Sequence, residues 1–138
     1  MLKIKQEIYS KLFKLKKAPP ESGGILGWRN GIICKYTFDY GLELGDFYVP
    51  NTEYLNRIIS LWQNEGISTL AIYHTHPHGY DELSPVDIQY ASNLLEFCSI
   101  SNFYFFIVIP QESIFAYKAS MIKGHIEITE EEISIEGR

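Results

Sequence analysis

The sequence predicts a single-domain α/β protein in which helices flank a mixed β-sheet. Three observations predict this class. Two stretches carry apolar residues at helical spacing, several short apolar runs are bounded by turn residues, and the two kinds of segment alternate along the chain. The chain has 138 residues, a length that suits one domain with one hydrophobic core.

The first predicted element is a basic amphipathic helix over residues 3–17. Lysines occupy one face of this helix, and the apolar face is formed by Ile4, Ile8, Leu12 and Leu15. Pro19 and Pro20 follow and end the helical pattern. We expect the apolar face to pack on the sheet; binding to an anionic membrane or partner is the alternative.

Two strands joined by a tight turn are expected next. Residues 21–28 form a short buried strand that opens with Glu21 and contains two adjacent glycines, and residues 32–38 form the second strand. Asn30-Gly31 between them is a strong hairpin signal. Adjacent glycines inside a strand typically mark a bulge or a close approach to the backbone.

The rest of the chain continues the alternation of helices and strands. Residues 39–52 are rich in turn residues and predict a loop or an irregular strand, after which Thr52 is expected to cap a helix that Gly66 ends. The remaining segments are a helix over 53–65, a strand over 68–73, a helix over 84–97, and strands over 103–109, 113–119 and 126–129. No repeat or linker interrupts this order, so residues 1–134 are taken as one domain.

The last four residues, 135–138, have the sequence Ile-Glu-Gly-Arg. This is the recognition sequence of a protease that is widely used to remove tags. We therefore interpret residues 135–138 as an added tail and expect no role for them.

Composition and charge narrow the possible partners. The formal net charge is −5, so no nucleic-acid partner is expected, although six of the twelve basic residues lie within the first 17 positions. Cys34 and Cys98 lie far apart in sequence and predict buried thiols in a reducing compartment. Neither a signal-peptide pattern nor an apolar run near the ~20 residues of a membrane span is found, so a cytoplasmic protein without membrane contact is expected.

Four residues between positions 74 and 87 have the spacing of a metal site, H-x-H-x7-S-x2-D. His74 and His76 are one residue apart, which places both imidazoles on one side of an extended strand. Ser84 and a proline open a helix, and Asp87 lies in its first turn. Two imidazoles and a carboxylate are a suitable ligand set for a catalytic zinc ion with water in the fourth position.

A simpler interpretation accounts for part of this pattern. Ser84 and Asp87 also match a helix capping box, and a His-x-His pair alone is a weak signal. The conjunction of all four positions favours a metal site over a helix cap alone.

The pattern H-T-H-P-x6-S-P-x-D, together with the upstream E-S-G-G-I-L-G that begins at Glu21, resembles the JAMM motif of MPN-type metalloproteases, in particular the compact prokaryotic JAB-type members. The resemblance runs from Glu21 to the end of the third helix and implies a cytidine-deaminase-like α/β fold. It also implies one Zn²⁺ with a catalytic water, held by His74, His76 and Asp87. Glu21 would act as the general base, and Ser84 would stabilise the oxyanion. Trp28 stands where the family often has a glycine, a departure expected to alter the strand edge beside the site.

The same resemblance implies cleavage of an amide or isopeptide bond after the C-terminal tail of a ubiquitin-like or sulfur-carrier protein. The turn-rich residues 41–51 are then a candidate groove wall. His78, Asp81 and His125 are expected to take no part in the chemistry. Two alternatives stay open: a catalytically silent MPN scaffold that binds partners, and a DNA-repair-associated JAB protein. Within the enzyme class, deconjugation and release of a small amino acid from a carrier tail are both open.

Overall fold

The computed structural model describes residues 1–42, 48–98 and 102–137, and only the backbone of residues 93–98. These residues form eight strands and three helices. In chain order the elements are β1 (Leu2–Lys5), α1 (Gln6–Phe13), β2 (Gly23–Arg29), β3 (Ile32–Tyr36), α2 (Thr52–Asn64), β4 (Ser68–Thr75), α3 (Pro85–Cys98), β5 (Asn102–Ile109), β6 (Ser113–Ile122), β7 (His125–Glu131) and β8 (Ile133–Glu136).

The strands form one mixed sheet in the order β7-β6-β5-β4-β2-β3-β1-β8. β4 runs parallel to β5 and antiparallel to β2. β1 runs parallel to both β3 and β8. The predicted mixed α/β architecture is therefore confirmed, and β4, which contains His74 and ends directly before His76, lies in the middle of the sheet.

Alternation along the central strands divides the core into two layers. Leu26, Tyr73 and Phe106 belong to a cluster that also contains the apolar side chains of α1. Their sequence neighbours Ile25, Ile72 and Phe105 belong to a second cluster with residues of α2 and α3. Because successive side chains of a strand point to opposite faces, α1 covers one face of the sheet, and α2 and α3 cover the other.

The prediction of a helix over residues 3–17 is wrong at both ends. Leu2–Lys5 forms β1, with Leu2 and Ile4 buried and Lys3 exposed, and the helix spans only Gln6–Phe13. Ile4 lies four residues before Ile8, so it satisfies the helical period as well as the strand period. Pairing with β3 and β8 decides in favour of the strand, because Ile4 is then fully buried.

The C-terminal strand β8 was not predicted. Ile133–Glu136 pairs in parallel with β1, and Ile135 lies opposite Ile4. The predicted domain boundary after residue 134 thus falls inside a strand, and Ile135 and Glu136 have a structural role that the sequence analysis did not assign.

The turn signals were predicted more accurately. Asn30 and Gly31 both have positive φ (55° and 78°), as a two-residue hairpin of type I′ requires, and Gly66 has φ 75° at the end of α2. The helix cap is Asn51, one residue before the predicted Thr52, and its side chain accepts a hydrogen bond from the backbone N–H of Tyr54 at 3.2 Å.

Two further expectations can be compared with the structure. Cys34 is a free thiol that is only half-buried, whereas full burial was predicted, and the side chain of Cys98 lies outside the described residues. No helix in the described part of the chain combines the length and the apolar character that a membrane span requires.

Candidate metal centre

The central strand β4 leads into the predicted histidine pair. His74 lies in β4 opposite Gly23 of β2, and His76 follows directly after the strand. Both side chains are buried, and their ring centroids lie 4.5 Å apart with the ring planes at 82°. The alternation of a strand therefore brings the two imidazoles together on one side, as the sequence predicted.

Asp87 reaches the same point from the first turn of α3. Its Oδ1 lies 3.1 Å from Nε2 of His74, and its Oδ2 lies 3.4 Å from Nε2 of His76. A single carboxylate thus contacts the Nε2 atoms of both histidines.

The capping box is also present. The backbone N–H of Ser84 donates to Oδ2 of Asp87 at 2.8 Å, and the backbone N–H of Asp87 donates to Oγ of Ser84 at 3.1 Å. These reciprocal bonds fix the Asp87 side chain while its Oδ1 faces His74. The helix cap and the site therefore use the same two residues, and neither interpretation excludes the other.

The Nδ1 atoms of the two imidazoles, which point away from Asp87, have different surroundings. Nδ1 of His76 lies 2.9 Å from the backbone carbonyl oxygen of Tyr80, an acceptor that would keep the proton on Nδ1 and the Nε2 lone pair free when a metal ion is bound. Nδ1 of His74 lies 3.4 Å from Oε1 of Glu21 but has no hydrogen-bond partner among the described residues.

Glu21 lies just before β2 and is part of the same cluster. Its Oε1 accepts a hydrogen bond from the backbone N–H of Tyr48 at 3.2 Å. Ligand atoms of Glu21, His74 and His76 all lie within 4.8 Å of one another, a grouping that could hold a metal ion.

Two ligand sets can therefore be drawn, and they share the histidines. One adds Glu21 and the other adds Asp87. The Nε2–Oδ separations of 3.1 and 3.4 Å to Asp87 are close to the ligand–ligand distance of roughly 3.3 Å in a tetrahedron with metal–ligand bonds of about 2.0–2.1 Å. Glu21 instead approaches His74 at Nδ1, away from Nε2. The residues present fit a divalent metal ion on the Nε2 side, where Asp87 lies.

The charges of the cluster also suit a cation. Burial by itself would lower the pKa of His74, but the carboxylates of Asp87 and Glu21 outweigh it and raise this pKa to about 9. Burial would raise the pKa of Asp87, but hydrogen bonds from His74, His76 and the Ser84 amide hold it well below its usual range. The two carboxylates beside the two imidazoles therefore create a negative field that favours a cation at this point.

A cavity of about 400 Å³ opens onto this cluster. Glu21, His76, Ser84 and Asp87 all line it, so four of the five sequence-predicted site residues face one space. Ser84 Oγ acts as acceptor in the capping box, which leaves its hydroxyl hydrogen to be donated into the cavity.

The cavity wall includes Tyr48, which lies in the predicted groove wall of residues 41–51, and Tyr80, which was not predicted. The Tyr48 ring is stacked near the His74 ring, with centroids 6.2 Å apart. The only sequence signal for Tyr48 was its place in the predicted groove wall. Residues 43–47 of that wall lie outside the described residues.

A buried carboxylate, also missed, holds Tyr48 in place. Asp39 accepts hydrogen bonds from the Tyr48 hydroxyl at 2.8 Å, from the Gly41 N–H at 2.8 Å and from the Asn51 N–H at 2.9 Å. Burial, followed by the hydrogen bond to Asp39, raises the pKa of Tyr48 far above its ordinary value. Tyr48 is therefore a neutral hydrogen-bond donor at any ordinary pH.

The remaining polar residues near the motif lie outside this cavity. His78 is exposed, and its Nδ1 lies 2.7 Å from a carboxylate oxygen of Glu112. Asp81 is exposed, and its carbonyl oxygen accepts from the hydroxyl of Tyr117. His125 is exposed at the start of β7.

The departure at Trp28 does not lie beside the site. Trp28 pairs with Ser68 at one end of β2, whereas Gly23 pairs with His74 at the other end. The register of β2 shifts on both sides of Gly27, so the strand edge is altered there, away from the metal centre.

Comparison with known proteins shows the family of the chain and a solved structure with a similar fold. A family model for prokaryotic homologs of the JAB domain matches residues 5–124. A solution structure of a Desulfitobacterium hafniense protein is similar with a TM-score of 0.72 at 16% identity, covering 100% of this chain and 94% of that one. At this identity the likeness concerns the fold alone. A search of curated proteins gives no match.

Proposed function

The chain belongs to the family of prokaryotic JAB-domain proteins, and from this premise we propose that it is a zinc-dependent peptidase or isopeptidase. The observation that carries the proposal is the Asp87 carboxylate, which lies 3.1 and 3.4 Å from the Nε2 atoms of His74 and His76. Glu21 and Ser84 line the same cavity. A cytidine-deaminase-like arrangement of the sheet and a cytoplasmic location are parts of this proposal.

The proposed zinc ligands are Nε2 of His74, Nε2 of His76 and the carboxylate of Asp87. Their outer contacts support this choice, because the Tyr80 carbonyl orients His76 and the Ser84 amide orients Asp87. A zinc ion bound there would polarise the scissile carbonyl and supply an activated water near neutral pH.

Glu21 is then the proton carrier. Its carboxylate lies at the cavity wall, close to both histidines, and is held by the Tyr48 amide. A carboxylate in this place can accept the proton of the attacking water and return it to the leaving amine.

Ser84 is the proposed oxyanion donor. Its backbone N–H and its Oγ lone pair are both used in the capping box, so the hydroxyl can turn its hydrogen into the cavity. A donor fixed by the start of a helix needs little reorganisation when charge develops on the carbonyl oxygen. In this role the serine is not a nucleophile.

The proposed substrate is the extended C-terminal tail of a ubiquitin-like or sulfur-carrier protein, cleaved at the amide or isopeptide bond that follows it. Support comes from the family resemblance and from a cavity of about 400 Å³ whose walls include the aromatic side chains of Tyr48 and Tyr80. The family resemblance also implies that this tail ends in small residues.

Metal content tests the ligand set. Plasma mass spectrometry should find about one zinc ion per chain in the wild type and in His78→Ala, the matched histidine control. His76→Ala should lose the metal, whereas Glu21→Gln should keep it because Glu21 is not a ligand. Zinc loss in Glu21→Gln would instead favour the set of Glu21, His74 and His76.

Cleavage tests the function. Fusions in which a ubiquitin-like domain is joined by its tail to a small reporter should be cut by the zinc-loaded wild type and not by Glu21→Gln. A protein that binds zinc but leaves all such fusions intact would contradict the peptidase proposal.

The helix cap supports a second candidate, a silent scaffold. Ser84 and Asp87 satisfy each other without any metal, so their presence alone does not require catalysis. Wild-type protein that takes up no zinc on reconstitution would favour the scaffold.

A further inference from the structure

A second cavity lies beside the metal centre and shares Glu21 with it. Its volume of about 610 Å³ lies within the roughly 300–1,000 Å³ of ligand sites. Apart from the shared Glu21, the part of its lining that bears charge or aromatic rings consists of Lys14, Lys16, Lys17, Tyr36, Phe38 and Tyr40. We refer to these six residues as the Lys–aromatic cavity.

The lysines of this cavity are not neutralised within the described residues. Lys14, Lys16 and Lys17 are exposed, and none has a carboxylate oxygen of the described chain within 4.0 Å of its ammonium group. By contrast, Lys3 and Lys35 each contact a glutamate. In a chain with a formal net charge of −5, three unpaired lysines against the single carboxylate of Glu21 leave the lining of this cavity net positive, and such a local field favours an anionic ligand.

The aromatic rings give the cavity an apolar surface. Phe38 and Tyr40 meet edge to face with centroids 4.6 Å apart, and Tyr40 is 72% exposed. Tyr36 is covered on one side by Lys11, whose Nζ lies 5.9 Å from the ring centroid. Exposed aromatic rings of this kind mark contact surfaces for an apolar or aromatic side chain.

The position of the cavity links it to catalysis. Glu21 lines both cavities, and Gly23, two residues later, pairs with His74. A chain that occupies the Lys–aromatic cavity therefore reaches the metal centre by passing over Glu21.

We propose that the Lys–aromatic cavity binds an acidic segment of the substrate polypeptide, with one aromatic or aliphatic side chain, next to the scissile bond. This inference rests on the proposed peptidase function and narrows its substrate class. The lysines contact the acidic side chains, and the rings of Phe38 and Tyr40 contact the apolar one. Charge complementarity of this kind selects among substrates more than it adds affinity.

A peptide fits the surroundings better than a nucleic acid. The remainder of the chain is acidic, which repels an extended polyanion, whereas a short acidic segment contacts only the three lysines. A nucleic acid therefore enters the test as a competitor.

Fluorescence anisotropy tests the proposal on the zinc-loaded full-length wild type with labelled peptides. The peptides EEFEGG and QQFQGG differ only in charge, and both end at the glycine pair, so no bond remains to be cut after it. EEFEGG should bind roughly tenfold more tightly at low salt, and the difference should shrink as salt is added. Equal binding of the two peptides overturns the proposal, and so does tighter binding of a mixed-sequence oligonucleotide.

Variants locate the binding. Lys16→Gln/Lys17→Gln changes two residues beyond the end of α1 and should abolish the preference for EEFEGG. The control Lys3→Gln/Lys123→Gln removes the same charge elsewhere and should keep the preference. Urea unfolding checks that both variants fold. A preference that survives in Lys16→Gln/Lys17→Gln overturns the assignment to this cavity.

The outcome can be separated from that of the proposed function. Preference for EEFEGG in a protein that cleaves no fusion supports the acidic-peptide site and contradicts the peptidase proposal. Cleavage of fusions irrespective of acidic residues before the tail, with equal peptide binding, overturns the Lys–aromatic proposal alone.

Discussion

The hydroxyl of Tyr48 donates to the buried carboxylate of Asp39 at 2.8 Å, while the backbone amide of Tyr48 donates to Glu21 at 3.2 Å. Asp39 thus acts on the proposed proton carrier through one intermediate residue. Among the described residues it is the one acidic residue that is buried, and it accepts three hydrogen bonds. We interpret Asp39 as a positioning residue for the metal centre.

The first prediction concerns Asp39→Ala. This change leaves three donors without their acceptor, so the free energy of unfolding should fall by roughly 2–4 kcal/mol. Tyr48→Phe removes one of the three bonds and should cost about 1 kcal/mol. Urea unfolding of both variants measures the two losses. Similar losses for both would show that the two backbone amides do not depend on Asp39.

The same pair separates positioning from metal binding. Both variants should keep zinc, because neither residue is a proposed ligand, while kcat falls more than KM changes, because Glu21 is misplaced. Loss of zinc from folded Tyr48→Phe would place Tyr48 in the metal site itself.

The second prediction separates the two roles of Ser84. Glycine at a helix N-cap costs only a few tenths of a kcal/mol, whereas alanine costs about 1 kcal/mol. Ser84→Gly should therefore be more stable than Ser84→Ala in urea unfolding. Both lack the hydroxyl, so both should lose on the order of 100-fold in kcat if that hydroxyl stabilises the oxyanion. Activity that follows stability, with Ser84→Gly close to wild type, would reduce Ser84 to a cap.

The sequence predicted the centre of the molecule better than its margins. His74, His76, Ser84 and Asp87 lie within a short stretch, so strand alternation and a helix cap were enough to bring them together. Glu21 is far from them in sequence, and only the family resemblance placed it. Its approach to His74 depends on the antiparallel pairing of β2 with β4.

The misses have a common physical cause, which is pairing between distant segments. Leu2–Lys5 is a strand because β3 and β8 flank it, and no local pattern contains that information. Asp39 lies in the range 39–52 that the sequence predicts as a loop or irregular strand, and its three donors come from the same range. Burial of a charged side chain depends on those partners and not on its neighbours in sequence.

The third prediction concerns pH in the metal-free protein. The pKa of His74 is raised to about 9 from an ordinary 6.5, because the carboxylates of Asp87 and Glu21 outweigh burial. Because this pKa is higher in the folded state than in the unfolded chain, protonation of His74 stabilises the fold. The stabilisation is fully present below about pH 6.5, where the unfolded chain is also protonated, and it is lost as pH rises through 9. Urea unfolding of chelator-treated protein should show a loss on the order of 2 kcal/mol between pH 6 and 9.5.

Two comparisons check that His74 causes this dependence of the free energy of unfolding on pH. His74→Gln should remove it, whereas His78→Gln, which changes an exposed histidine, should keep it. Added zinc should reverse the trend, because the metal competes with the proton for the imidazole and binds more tightly as pH rises. An unchanged slope in His74→Gln would assign the effect to other groups.

The fourth prediction concerns Gly23, which lies opposite His74 in the sheet. A Cβ at this position would lie 2.4 Å from the backbone oxygen of Tyr73 and 2.6 Å from the ring of Tyr48. Both distances are too short for contact, and the carbonyl belongs to a central strand that cannot move freely. Gly23→Ala should therefore displace Tyr48 and lower the free energy of unfolding by roughly 1–3 kcal/mol. Urea unfolding measures this loss.

Gly137→Ala is the matched control for this change. The Cβ at Gly137 would have its nearest contact at 3.6 Å, to the side chain of Gln6, which is an ordinary van der Waals distance. This variant should unfold like the wild type. If Gly23→Ala displaces Tyr48 as expected, it should also weaken activity in the same way as Tyr48→Phe or more strongly, because the amide that holds Glu21 moves with the ring. Full activity in a destabilised Gly23→Ala would show that the Tyr48 amide is not needed to hold Glu21, and the positioning role of Asp39 would then have to be abandoned as well.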